Sequence, residues 1–204
     1  MTTIAFDGRY MAADNLCTGT DLSAFFQKLL AYKDDNGVQY CIGGAGTAAH
    51  IPRFVGWYLM THGADGDAFS SLAPLNGVIL VARYDPLARK MSLCEISEDG
   101  IIYLPTPFGA IGSGGGYAAA SMLTGGNAAT AVSVASKLDT GTGSTLIVYD
   151  VIEGAWVKKP PKKASEATLA MVAPHVTDEI HTRLIKCTMP PKMTTPKPTK
   201  SSGN

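Results

Sequence analysis

Residues 2–14 read TTIAFDGRYMAAD, and their pattern decides the fold. The stretch divides at Asp7-Gly8, a dipeptide favoured in two-residue hairpin turns. Thr2 to Phe6 and Arg9 to Ala13 therefore read as two paired strands. A chain end is ordinarily tolerant of any sequence, yet here the first residues are already committed to a sheet.

Working outward, VQYCIGG (38–44) reads as a strand leading into GTAAHIPRFVGWYLMTHG, where apolar residues recur at helical spacing from Ile51 to Met60. Pro52 fits only in the first turn of that helix. NGVILVARYD and KMSLCEISEDGIIYLP supply further strands, the second pair turning near Glu98, Asp99 and Gly100. Two small-residue helices follow, Tyr117 to Leu123 and Asn127 to Leu138, joined through Gly125-Gly126. STLIVYD (144–150) is an apolar strand, with GAWV returning beside it. Strands, helix, strands, helices, strands is an α+β order with antiparallel sheets, not a series of βαβ units.

After Val157 the texture changes. From Lys158 onward nine Lys/Arg stand against three Asp/Glu, leaving eight against fourteen in the body. An acidic domain (1–157) is thus expected to carry a basic, Pro/Lys-rich C-terminal extension (158–204), partly disordered, with one short helix capped by Thr177.

Of the 204 residues 46% are apolar and 17% charged, the balance of a globular core. No run of about eighteen apolar residues marks a membrane span, and no basic-then-apolar start marks a secretory signal, so a cytoplasmic protein is expected. The four cysteines are widely spaced without a C-x-x-C pair, which fits isolated thiols in a reducing compartment. The scattered histidines give no metal site, and no cofactor motif is present.

Thr2 carries the first chemical signal. Methionine removal is favoured when the second residue is small, and the new terminus would hold a hydroxyl and an amine on one residue. That amine has a reference pKa of about 7.7–8.0, so part of it is neutral near pH 7 and able to accept the hydroxyl proton. Threonine in second place is also common without any such role. The segments TTIAFDGRYMAAD, GGAGTAA, GAIGSGGGYAAA and LDTGTG, however, occur in the order of the landmarks of proteasome β-type N-terminal nucleophile (Ntn) hydrolases. The chain most resembles the HslV-like threonine peptidases, which share a Thr-Thr-Ile start and an I-G-S-G-G landmark. The resemblance runs from Thr2 to Asp150 and leaves out the extension. It implies a four-layer αββα sandwich.

Carried over residue by residue, the resemblance places the nucleophile on Thr2 and the carboxylate after the second strand on Asp14. The lysine falls on Lys28, with Lys33 as the competing assignment. An ammonium there favours the neutral amine and the alkoxide, and Asp14 balances it; without the resemblance Lys28 reads as a solvated lysine. Losing the Lys28 charge is expected to abolish activity with little loss of stability. Gly43 matches the glycine whose N–H faces the oxyanion, though a tight strand-to-helix turn also explains it. Ser113, Asp139 and Thr142 match the remaining polar landmarks, Thr142 standing where the family has serine. The hairpin before Asp14 is shorter than in typical members, and Ala49-His50 replace an early helix aspartate.

The implied activity is that of a threonine-type endopeptidase acting on unfolded polypeptides. A homo-oligomeric ring or ring-like assembly, held by the Asp139–Asp150 side and the helix from His50 to Met60, and an ATP-dependent unfoldase follow from the resemblance as expected partners. Nucleic acid is not expected, because no aromatics interleave the basic residues. Two other readings stay open: a catalytically inactive scaffolding subunit of the same fold, and an amidase acting on a small molecule.

Overall fold

A computed structural model describes residues 1–18, 23–25, 27–64, 69, 72, 75–105 and 108–189. Its first hairpin pairs β1 (Thr3–Phe6) with β2 (Tyr10–Asp14), matching Ile4 with Ala13 and Phe6 with Met11. The tight loop is Gly8-Arg9, one residue beyond the expected place, because the Asp7 N–H donates to the Tyr10 carbonyl at 3.2 Å. Gly8 takes φ 99°, a left-handed conformation that costs glycine little. Asp7 Oδ1 accepts from the Arg9 and Tyr10 N–H groups, while Oδ2 accepts from the Ala128 N–H at a helix start. The turn is thereby tied to the helical layer.

The chain continues through a short ribbon of β3 (Leu16–Thr18) and β4 (Ser23–Phe25), then β5 (Leu29–Lys33), β6 (Gln39–Gly46) and helix α1 (Ile51–Thr61). Strands β7 (Gly77–Asp85), β8 (Lys90–Ser97), β9 (Gly100–Tyr103) and β10 (Gly109–Gly112) lead to helices α2 (Gly115–Leu123) and α3 (Ala128–Leu138). After β11 (Leu146–Asp150) and β12 (Ala155–Lys158) come α4 (Lys162–Val172), a 3₁₀ turn (Ala173–His175) and α5 (Asp178–Thr188). The main strands form two five-stranded antiparallel sheets, ordered β10-β1-β2-β11-β12 and β5-β6-β7-β8-β9.

Side-chain alternation sorts the layers. On β1, Ile4 and Phe6 join Met11, Leu29, Ala31, Cys41 and Leu80 in a core between the sheets. Ala5 and Ala12 face the other way, against Ala118, Ala128, Ala131 and Ala135 of α2 and α3. Small residues on both sides let those helices lie close to the sheet. On the second sheet Leu30, Tyr32, Tyr40 and Ile42 point outward, onto Phe54, Val55 and Tyr58 of α1. The result is helix, sheet, sheet, helix: the four-layer α+β sandwich expected.

The segment after Lys158 departs from expectation. It holds two helices and a 3₁₀ turn rather than one short helix, and Leu169, Val172 and Leu184 are buried in the same core as α1. Thr177 caps α5, accepting from the Ile180 N–H. Thr188, 2% exposed, bonds both the N–H and the carbonyl of Ala31 on edge strand β5. Trp156 Nε1 donates to the Cys187 carbonyl at 2.9 Å. The disordered end expected from Thr188 starts too early, since Thr188 closes α5 and is buried by its bonds to Ala31; residues 190–204 lie outside the described residues. The α4 region also covers α1: a Cβ on Gly56 would collide with His175. A contact between copies through α1 therefore loses this face to the chain's own C-terminal segment.

Candidate functional site

Asp14 ends β2 with no exposed surface. A buried carboxylate is stable only when hydrogen-bonded or paired, and this one is both. Lys28 Nζ reaches its two oxygens at 3.0 and 2.9 Å. The backbone N–H groups of Thr3 (2.8 Å), Leu16 (3.1 Å) and Gly143 (2.9 Å) complete its shell. Lys28 is no solvated lysine: its side chain is 6% exposed. Its Nζ also donates to the Met1 carbonyl at 3.0 Å, the carbonyl bonded to the Thr2 nitrogen. The ammonium is therefore anchored on one side by Asp14 and directed on the other at the peptide unit that precedes Thr2. Lys33 stands five residues on at the exposed end of β5, about 16 Å along the strand, and takes no part.

A second cluster meets the same segment. Ser113 Oγ donates to Asp139 Oδ2 at 2.7 Å and lies 3.4 Å from the Thr2 carbonyl. Thr142 Oγ1 donates to the same Asp139 oxygen at 2.6 Å. Because that proton is committed to the carboxylate, the 2.5 Å contact between Thr3 and Thr142 must have the Thr3 hydroxyl as donor. Hydroxyl donation from Thr142, then Ser113, holds the Asp139 carboxyl below its ordinary range, with the positive N-terminus adding to the effect. Two carboxylates thus flank the N-terminal residues, each fully engaged by donors.

Thr2 is 8% exposed and lines two openings. One, about 640 Å³ of open space, runs past Lys28, Gly46 and α1 to α4; the other is bounded by Met1, Gly46, Gly112 and Ser113. Thr2, Asp14, Lys28, Ser113, Asp139 and Thr142 are thus brought together. Gly43 is not. It sits in mid-strand, paired with Leu29 and Leu80, and a Cβ there would meet Ile4 and Leu29 in the inter-sheet core at 2.9 Å. The glycine common to both openings is Gly46, at φ 135°, where a Cβ would strike the Asn76–Gly77 backbone. The sequence CIGGAG offers three glycines, and only strand register separates them. Thr3 was also missed; its signal is a hydroxyl in a strand otherwise apolar. His50, in place of the family aspartate, accepts the Asn76 N–H on Nδ1 at 3.2 Å.

The buried Cys41 and Cys94 are poorly suited to thiol chemistry. Burial pushes the Cys94 thiol up to about 11 and the Cys41 thiol higher still, so neither is a thiolate near neutral pH. Among the described residues no group of His, Cys, Asp and Glu is arranged to hold a metal ion. No described helix is long and apolar enough to cross a membrane.

No family model matches the sequence, and no curated protein matches it. Solved structures do match in fold. Anbu (ancestral beta-subunit) from Yersinia bercovieri is 14% identical at a TM-score of 0.56, over 73% of this chain and 80% of that one. A Gly-1 mutant of Anbu from Hyphomicrobium sp. strain MC1 is 15% identical at 0.60, over 83% and 93%. The helical assembly of the Anbu complex from Pseudomonas aeruginosa is 15% identical at 0.57, over 96% and 100%. The chain shares the proteasome-like fold of these subunits.

Proposed function

We propose that the chain is a threonine-type N-terminal nucleophile hydrolase cleaving peptide bonds of unfolded polypeptides, with Thr2 as nucleophile once Met1 is removed. The observation that carries this reading is the buried Lys28–Asp14 pair, whose ammonium is held at the carbonyl preceding the Thr2 nitrogen. A structural lysine needs no such second contact. With Met1 gone, the Thr2 nitrogen becomes a primary amine, and a neighbouring ammonium favours its neutral form. The neutral amine accepts the hydroxyl proton as Oγ1 attacks the substrate carbonyl. It then gives that proton to the departing amine, leaving an acyl ester on Thr2. Water, deprotonated by the same amine, hydrolyses the ester and returns the hydroxyl.

Asp14 keeps Lys28 charged and fixed. Ser113, Asp139 and Thr142 hold the terminus through the Thr2 carbonyl and the Thr3 hydroxyl. Gly46 takes the part that the resemblance gave to Gly43, allowing the substrate close approach to backbone. The polypeptide comes to the open groove beside Thr2. The chain works as a homo-oligomer, with the exposed apolar Tyr117, Leu123 and Leu138 of α2 and α3 available to contacts between copies; an ATP-dependent unfoldase is the partner that would deliver unfolded substrate. Hydrolysis of casein and of short fluorogenic peptides by wild type, Thr2→Ala and Thr2→Ser tests the reading. Loss in the first variant and partial retention in the second are expected. Full turnover by Thr2→Ala would overturn it.

A further inference from the structure

Helix α4 lies in the part of the chain that the family landmarks leave out, and it is built into the cavity beside Thr2. Leu169 and Val172 anchor it in the core. Thr168 Oγ1 donates to the Gln27 carbonyl at 3.0 Å, fixing the helix against the residue that precedes Lys28. Thr168, Met171 and Val172, at i, i+3 and i+4, form one face, and all three line the cavity. Its other apolar walls come from Leu30 and Ile42 of the sheet and Ile51 and Val55 of α1.

We propose that α4 makes this cavity a binding pocket for an apolar side chain on the acyl side of the cleaved bond, with Met171 as the residue that sets the preference. The inference rests on the hydrolase reading and names its substrate class. Among the described residues no Asp or Glu lines the cavity, and the ammonium of Lys28 is engaged by Asp14. A lysine or arginine side chain entering the pocket loses water and finds no counter-charge among the described lining residues. An aliphatic side chain meets apolar atoms of α1, α4 and the sheet and is stabilised by burial alone. Met171 is half-buried and conformationally adaptable, so it can close on such a side chain. The Oε1 of buried Gln27, also a lining residue, has no hydrogen-bond partner. An orphan buried acceptor is costly until a donor reaches it, and an amide N–H of a bound peptide is such a donor.

The experiment has two arms. The first measures kcat/KM for fluorogenic tetrapeptides with Leu or Lys at the cleaved position, using wild type, Met171→Leu and Met171→Glu. Wild type and Met171→Leu should prefer Leu by at least about tenfold, the lower end of what one apolar group decides in a pocket. Met171→Glu should shift the ratio toward Lys by a similar factor. A ratio that Met171→Glu leaves unmoved overturns the proposal. The second arm needs no turnover: N-acetyl-leucine amide and N-acetyl-lysine amide are titrated into the wild-type chain while the Met171 methyl NMR signal is followed. A shift with the leucine compound alone supports the pocket, and no shift, or equal shifts, overturns it. Absence of hydrolysis of every peptide by wild type would instead strike at the nucleophile reading, leaving the second arm to decide the pocket.

Discussion

Replacing Lys28 with methionine removes the ammonium while keeping most of the side-chain volume. Asp14, with no exposed surface, is then left as a buried charge. Removing one partner of a buried pair costs about 3–5 kcal/mol, largely because the other charge stays uncompensated. Three backbone N–H groups still serve the Asp14 oxygens, which places the expected loss near the lower end, about 3 kcal/mol. Set against a typical net stability of about 5–15 kcal/mol, the variant remains folded but plainly weakened. This departs from the sequence reading, in which the lysine side chain bore little on stability. Urea unfolding at neutral pH of wild type, Lys28→Met, Asp14→Asn and the double variant measures it. The double variant should be less destabilised than the sum of the singles by about 1–3 kcal/mol, as expected for residues in direct contact. A loss below about 1 kcal/mol in Lys28→Met, with additive singles, would refute the buried-pair argument.

Gly43→Ala should lower stability by about 1–3 kcal/mol through overpacking against Ile4 and Leu29, while hydrolysis per folded molecule persists; its selective loss would return Gly43 to the site. A chain ended at Lys186 should be less stable than one ended at Met189 by more than about 2 kcal/mol in thermal or urea unfolding, since Ala31 loses its Thr188 partner and Trp156 its Cys187 acceptor; equal stabilities would show that these contacts contribute nothing. Because the Asp139 carboxyl is held below its ordinary range in the folded chain, its contribution is present above the unfolded value of about 3.9 and fades as pH falls through the lower folded one. Wild type should therefore lose its stability advantage over Asp139→Asn on acidification below about pH 3.9, and an advantage that grows there would contradict the assignment.

What the sequence made legible follows the strength of its periodicity. The first hairpin, α1, the Ala-rich pair α2 and α3, and β11 each carry a pattern that tertiary packing then uses, Ala5 and Ala12 facing helices, Ile4 and Phe6 facing the second sheet. Asp14 and Lys28 were legible through the resemblance, but their burial was not, because no local pattern reports that a lysine will be enclosed. The sequence does not tell Gly43 from Gly46, because three glycines in six residues are equivalent until pairing with β5 and β7 fixes the register. Helix α4 was hidden by composition. KKPPKK reads as linker, and the core face of the helix begins with Ala164 and Ser165, whose small side chains give little apolar signal before Leu169 and Val172.

The central claim is that Thr2 presents a free amine and a nucleophilic hydroxyl together. Intact-mass spectrometry of the purified chain after treatment with a leucine-containing peptide epoxyketone tests it most directly, because such a compound closes its ring only on an amine and a hydroxyl of the same residue. The account predicts a chain lacking Met1, carrying one adduct that disappears in Thr2→Ala. An active preparation in which Met1 is retained, or an adduct that persists in Thr2→Ala, would contradict it.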